Sequence, residues 1–213
     1  DDYLQDGALR VVLDNIRKYR GAALFHLRKE NVPRRVHEDA GIIPYIAYVG
    51  YHMTWIGGVV FRRELYPLIE EPQKYDYTGM PLQLEMLRKN PKFVILYGMF
   101  LTEGSGERTP SGFNFAETFI KHYLDILMAA SEIPAYLLSD EKKRLMDELI
   151  YDCLQKIVRY QHDLSLDGIF DIVREYYGEE PYYEEVVTKI EGIVPTETIG
   201  KQRKDRKGAV NGS

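Results

Sequence analysis

The hydrophobic rhythm of this chain changes partway along, and the change limits what it can fold into. Up to Asn114 helical and extended signals alternate, and beyond it the pattern is helical almost throughout. Alternation of the two periods calls for helices layered on a sheet, whereas an unbroken helical pattern calls for helix packed on helix. Residues 7–19 place Leu9, Val12, Leu13 and Ile16 on one helical face, and residues 22–27 are short and apolar like a strand. Further strands are expected at 55–61 and 93–101, with short helices at 64–70 and 81–89. Pro81 suits a first helical turn.

The later helices carry their own stripes. Phe115, Phe119, Ile120, Tyr123, Leu124, Leu127 and Met128 form one, and Leu145, Leu149, Cys153, Leu154, Ile157 and Val158 form another. Ser139, Asp140 and Glu141 read as a cap and an acidic first turn before the second stripe. Residues 166–177 and 182–193 make the last two helices. Such stripes are core rather than cofactor sites. With 213 residues and 45% apolar content the chain has ample material for a core. Its net charge of -5 gives no global attraction to nucleic acid. Cys153 has no partner for an internal disulfide and reads as a buried small hydrophobe in a reducing compartment. His26, His37, His52, His122 and His162 show no metal-ligand spacing and read as ordinary polar or half-buried residues. No signal peptide is visible, and no stretch reaches the ~18 apolar residues of a membrane-spanning helix.

Chemistry is expected in the first half. Asp1 and Asp2 are adjacent carboxylates, followed by Leu4 and then by Gly7-Ala8-Leu9, which opens an amphipathic run. Taken alone, such a pair is an N-cap turn before a helix; it can also hold a divalent cation on hard oxygen ligands. A second segment, Thr54-Trp55-Ile56-Gly57-Gly58-Val59-Val60-Phe61-Arg62-Arg63-Glu64-Leu65, sets paired glycines in an apolar run. Glycine weakens a strand unless something must approach its backbone. Both segments, with the succession from Tyr77 through Tyr97 and Gly112-Phe113-Asn114-Phe115 opening a long helix, resemble the family 2 glycosyltransferases. The likeness is to bacterial members that build capsule and O-antigen polysaccharides. It extends over roughly residues 1–195 and is strongest at the two quoted segments.

The resemblance implies a GT-A fold, of which this chain is the acceptor-side part with a helical C-terminal extension. The chain then starts inside the family's D-x-D motif and is a fragment lacking the half that binds the nucleotide base. It implies a Mg or Mn ion held by Asp2 with help from Asp1, a nucleotide-sugar donor, a glycan acceptor and an inverting outcome. In glycosyl transfer a base removes the acceptor proton while the departing diphosphate is held by metal or basic groups. Where the family carries an acidic pair for that base, this chain reads Thr78-Gly79, and Asp76 is the nearest carboxylate, either the base or a surface turn residue. Glu38-Asp39 lies before the Trp55 segment and reads as a helix-start carboxylate pair first and a base second. Trp55 either stacks on a sugar or belongs to the core. Gly57 and Gly58 leave room for a sugar ring or an acceptor hydroxyl, and Arg108 either reaches the diphosphate or is a solvated loop residue.

The organisation expected is therefore α/β: the catalytic part over 1–133, a helical extension over 134–195, and a basic tail over 196–213 that is disordered in solution. Lys201, Arg203, Lys204, Arg206 and Lys207 of the tail suit either a solvated segment or a contact with anionic lipid, in keeping with a lipid-linked acceptor and a cytoplasmic protein at the inner face of a membrane. The competing expectation is a non-catalytic helical interaction module in which Asp1-Asp2 is incidental.

Overall fold

The computed structural model describes residues 3–68, 79–102, 114–160 and 164–194. The described residues divide into two compact units, drawn from 1–107 with 126–138 and from 108–125 with 139–213, an interleaved division rather than a single cut near Pro134. The first unit is α/β and the second is helical. Among the described residues no helix is long and apolar enough to cross a membrane.

The first unit opens with strand β1 (Tyr3–Leu4) and helix α1 (Ala8–Lys18), joined by a turn in which Gly7 takes φ +74° as the N-cap. β2 (Leu24–Lys29), β3 (Arg35–Ala40), helix α2 (Ile42–Val49), β4 (Val59–Phe61), helix α3 (Gly79–Lys89), β5 (Lys92–Gly98) and β6 (Leu101–Thr102) follow. Four strands form one mixed sheet in the order β3-β5-β2-β4, with β2 and β5 parallel and the outer strands antiparallel to them. β2 and β5 are the apolar runs expected from sequence. They are near-continuously buried because helices cover both faces, as parallel strands require. On one face Phe25, Leu27, Val94 and Leu96 pack with Ala8 and Val12 of α1. On the other, Tyr45 of α2 meets Phe93 edge to face at 5.0 Å, and α3 packs on β2.

Glu38 and Asp39 do not start a helix: they lie in β3, opposite Val94 and Phe93, because Gly41, at φ +108°, separates the strand from α2. Trp55, Gly57 and Gly58 are not on a strand. Residues Gly50–Thr54 and Ile56–Gly58 form 3-10 turns, closed by Trp55 N–H to His52 O at 3.1 Å and Gly58 N–H to Trp55 O at 3.1 Å, and only Val59–Phe61 extends. Leu9 and Leu13 are 55% and 42% exposed, since α1 turns Ala8 and Val12 inward with half-buried Val11 and Ile16 beside them.

The helices that follow are α4 (Tyr123–Ala129), α5 (Ala135–Leu145), α6 (Tyr151–Tyr160), α7 (Ile169–Tyr177) and α8 (Tyr183–Ile193). π-helical stretches at Glu117–His122 and Met146–Ile150 lead into α4 and α6. The wider π turn shifts the phase of the first stripe, so that Phe115, Ile120, Tyr123, Leu124 and Leu127 are buried while Met128 is 56% exposed. Ser139 is no cap. Pro134 O already accepts the N–H groups of Leu137 and Leu138, α5 starts at Ala135, and Ser139 Oγ donates to Glu180 Oε2 at 2.8 Å from inside the helix. Glu141, expected in an acidic first turn, is buried in the second unit and accepts from Tyr123 Oη and Arg144 Nη2. Cys153 is half-buried rather than fully buried.

Candidate functional site

Open α/β sheets take ligands at the carboxyl ends of their parallel strands. Here those ends are Arg28-Lys29 of β2 and Tyr97-Gly98 of β5. Register sets Arg28 and Arg35 on either side of Tyr97, so a row of two guanidinium groups and a phenol crosses the end of the sheet. The Arg35 guanidinium lies 4.2 Å from the Tyr97 ring centre. Arg28 donates to Tyr48 O, and its Nε lies 2.8 Å from Glu30 Oε1, while Arg35 Nη2 donates to Glu30 Oε2 at 3.4 Å. Burial pushes the Tyr97 hydroxyl up from its ordinary value, against the opposing pull of Arg28 and Arg35. On the other side of the sheet end, Arg34 lies 5.6 Å from the Phe100 ring centre. Gly98 between them has φ +146°, and a Cβ there would meet Arg34 Cγ at 3.1 Å and the Phe100 ring at 3.3 Å, so only glycine fits.

The start of the described chain is tied to this same end. β1 pairs antiparallel with β6, Tyr3 opposite Thr102 and Leu4 opposite Leu101, and Gln5 N–H donates to Phe100 O at 2.9 Å. Asp2 is the chain neighbour of Tyr3. Asp1, Asp2, Asp76 and Arg108 all lie outside the described residues. A capping role for Asp1-Asp2 on α1 does not fit, because β1 intervenes and Gly7 holds the N-cap position. Among the described residues no group of three or more His, Cys, Asp or Glu side chains is placed to hold a metal ion.

Two residues in from Arg28 on β2, on the same face, sits His26, which the sequence reads as an ordinary polar or half-buried residue. It is fully buried on β2, opposite Ile95. Its Nδ1 is 3.3 Å from Tyr45 Oη, which donates to Gln83 Oε1 at 2.5 Å; Gln83 Nε2 in turn donates to Met53 O and Gly79 O, each at 3.0 Å. Since the single Tyr45 proton goes to Gln83, His26 Nδ1–H is the donor to Tyr45 Oη, and Nε2 carries the lone pair. Nε2 has no hydrogen-bond partner among the described residues. Burial pushes the imidazole down to about 3, and His52 and Arg28 act in the same direction. The available signal was its setting: a histidine inside an otherwise apolar run, Leu24-Phe25-His26-Leu27, on a central strand.

The glycine pair has a packing explanation in part. Gly58 is buried, and a Cβ there would meet Trp55 Cε3 at 3.1 Å and Leu27 O at 3.2 Å, so the near visitor to its backbone is the half-buried Trp55 ring against β2. Gly57 is exposed. Gly58→Ala should therefore destabilise the chain by about 1 kcal/mol through overpacking and shift the emission of Trp55, the chain's sole tryptophan. Urea unfolding followed by that emission checks it; an unchanged spectrum with undiminished stability would refute the contact.

Compared with family models, with curated proteins and with solved structures, the chain gives no match.

Proposed function

We propose that this chain is the acceptor-side part of a GT-A glycosyltransferase of family 2, passing a sugar from a nucleotide-sugar donor to a glycan, lipid-linked acceptor in bacterial surface polysaccharide synthesis, at the cytoplasmic face of a membrane. The observation that carries the proposal is the β1–β6 pairing, which brings the strand that follows Asp1-Asp2 to the carboxyl end of the parallel pair β2–β5. That is the end where an α/β sheet admits a ligand. It is also rimmed by Arg28, Arg34 and Arg35, cations that suit a diphosphate.

Asp2, with Asp1, supplies hard carboxylate donors of the kind Mg or Mn prefers. When bound, the cation neutralises charge on the departing diphosphate. Asp76 takes the acceptor proton, Trp55 and Gly57 lie along the acceptor side, and Arg108 adds positive charge toward the diphosphate. The proton removed from the acceptor hydroxyl passes to the Asp76 carboxylate as the new glycosidic bond forms and the bond to the diphosphate breaks.

Titration of Mn into the chain by calorimetry tests the carboxylate pair. Asp2→Asn should weaken Mn binding by at least about tenfold, since even outer-shell partners of a metal cost that much, and leave the melting temperature unchanged. Equal Mn binding by the two proteins, or none by either, leaves Asp1-Asp2 without a metal role and favours the helical interaction module.

A further inference from the structure

We infer that the outer face of α1 docks on an anionic lipid surface. At about 100° per residue, Leu9, Leu13 and Arg17 follow one another as a line along the helix, with Arg10 beside it. Leu9 and Leu13 are 55% and 42% exposed, although both are large and apolar. Leu4, just before the helix, is 44% exposed. Such a face, with its leucines along the border of the buried side and its cations on the side turned away from it, suits a helix that lies in a membrane interface: leucines enter the acyl boundary and arginines stay among head groups.

Charge decides the occupant. Arg10, Arg17 and Lys18 are exposed on α1, with Arg20 following, and Asp14 is the helix's only carboxylate, 3.2 Å from Arg17 Nη1. The Lys18 ammonium stands 4.9 Å from the Tyr19 ring centre, and Arg20 Nε donates to Arg17 O at 3.2 Å, which gathers the cations at the last turn. The chain as a whole carries -5, so it is repelled from an anionic surface except where such a locally basic face is presented. The leucines of this face are too few for a stable protein interface, which buries ~800 Å² per partner. They are enough to add apolar anchoring to an electrostatic contact. The docking face begins directly after the β1–β6 ribbon, and the inference stands independently of the sugar-transfer reading, because its test reads vesicle binding alone.

The full 213-residue chain is sedimented with vesicles of phosphatidylcholine containing phosphatidylglycerol and with vesicles of phosphatidylcholine alone. The chain should pellet with the anionic vesicles and remain in the supernatant with the neutral ones. Leu9→Ser with Leu13→Ser should lower the partition coefficient about tenfold, and Arg10→Gln with Arg17→Gln should lower it roughly twenty-five-fold, about fivefold per cation. The tail is intact in every variant, so a basic-tail contact alone leaves all of them binding like the parent. Melting temperatures should be unchanged, since the substituted side chains are exposed. Equal binding by parent and α1 variants, binding to neutral vesicles as strong as to anionic ones, no binding by the parent, or a change of oligomeric state in the leucine variant would each overturn the inference.

Discussion

Arg144→Met will destabilise the helical unit by about 3–5 kcal/mol, the cost of removing one member of a buried ion pair. Glu141 is 1% exposed, and its two oxygens are held by Tyr123 Oη and Arg144 Nη2. Burial pushes the Tyr123 hydroxyl well above its ordinary value, and the Glu141 charge adds to that, so the phenol stays a proton donor to the carboxylate throughout the physiological range. Removing that single hydroxyl in Tyr123→Phe costs less, about 1–3 kcal/mol, because the carboxylate keeps its charge partner. The double change Glu141→Leu with Arg144→Met should recover most of the loss, as apolar replacement of both members of a buried pair is often neutral. By contrast, the exposed Lys156–Asp152 pair, at 2.6 Å with side chains more than half accessible, should be worth no more than about 0.5 kcal/mol. Urea titrations of the parent, these three variants and a Lys156→Met protein separate the cases. An Arg144→Met protein within 1 kcal/mol of the parent would show that Glu141 is solvated or neutral rather than a buried anion.

The fold class was legible from sequence where a period was sustained. α1, α3 and the later helices announce themselves through repeated apolar spacing, and β2 and β5 through short unbroken apolar runs. β3 was not legible: Arg35-Val36-His37-Glu38-Asp39-Ala40 is an edge strand, its charged side chains reach solvent, and its pairing is decided by β5, far along the chain. The Trp55 segment misled for the opposite reason. Apolar content alone does not fix a period, and local N–H to carbonyl bonds around Gly57 and Gly58 curl most of it into turns. The start of α5 was misplaced because Ser139 is a better cap by type than anything near Pro134, yet its hydroxyl is drawn to Glu180, a partner no local rule can see. The exposure of Leu9 and Leu13 follows from which side of α1 meets the sheet.

The same division applies to the site. Asp1, Asp2, Asp76 and Arg108 came from motif and order, and lie outside the described residues. Trp55, Gly57 and Gly58 came from composition of one segment, and Gly58 is explained by close packing. Arg28, Arg35 and Tyr97 were invisible because they are ordinary residues on separate strands that only register makes neighbours. His26, Tyr45 and Gln83 likewise come from β2, α2 and α3, and nothing local in any of them predicts a shared chain of hydrogen bonds.

That chain of bonds makes acid stability the most direct measure of the first unit. The His26 imidazole is held down to about 3 in the fold, against an ordinary value near 6.5. Between those values the unfolded chain binds a proton that the native chain refuses, so stability is full above about 6.5 and is lost as pH falls, at about 1.4 kcal/mol per pH unit for one proton. The loss approaches about 3 kcal/mol by pH 4.5 and ends near pH 3, once the folded imidazole also titrates. Glu132, held at about 2 chiefly by its hydrogen bond from Arg88, contributes in the same direction but only below about 4.5, the ordinary carboxylate value. The interval from pH 6.5 to 4.5 therefore isolates the histidine from that pair. His26→Gln, which keeps a donor for Tyr45 Oη but cannot titrate, should flatten the pH dependence in this interval by about 1.4 kcal/mol per unit, whatever it costs at neutral pH. Chemical denaturation at stepped pH values measures both slopes. Parallel slopes for parent and variant would mean that His26 reaches a proton source in the native chain, and that the burial of its free nitrogen is relieved by water.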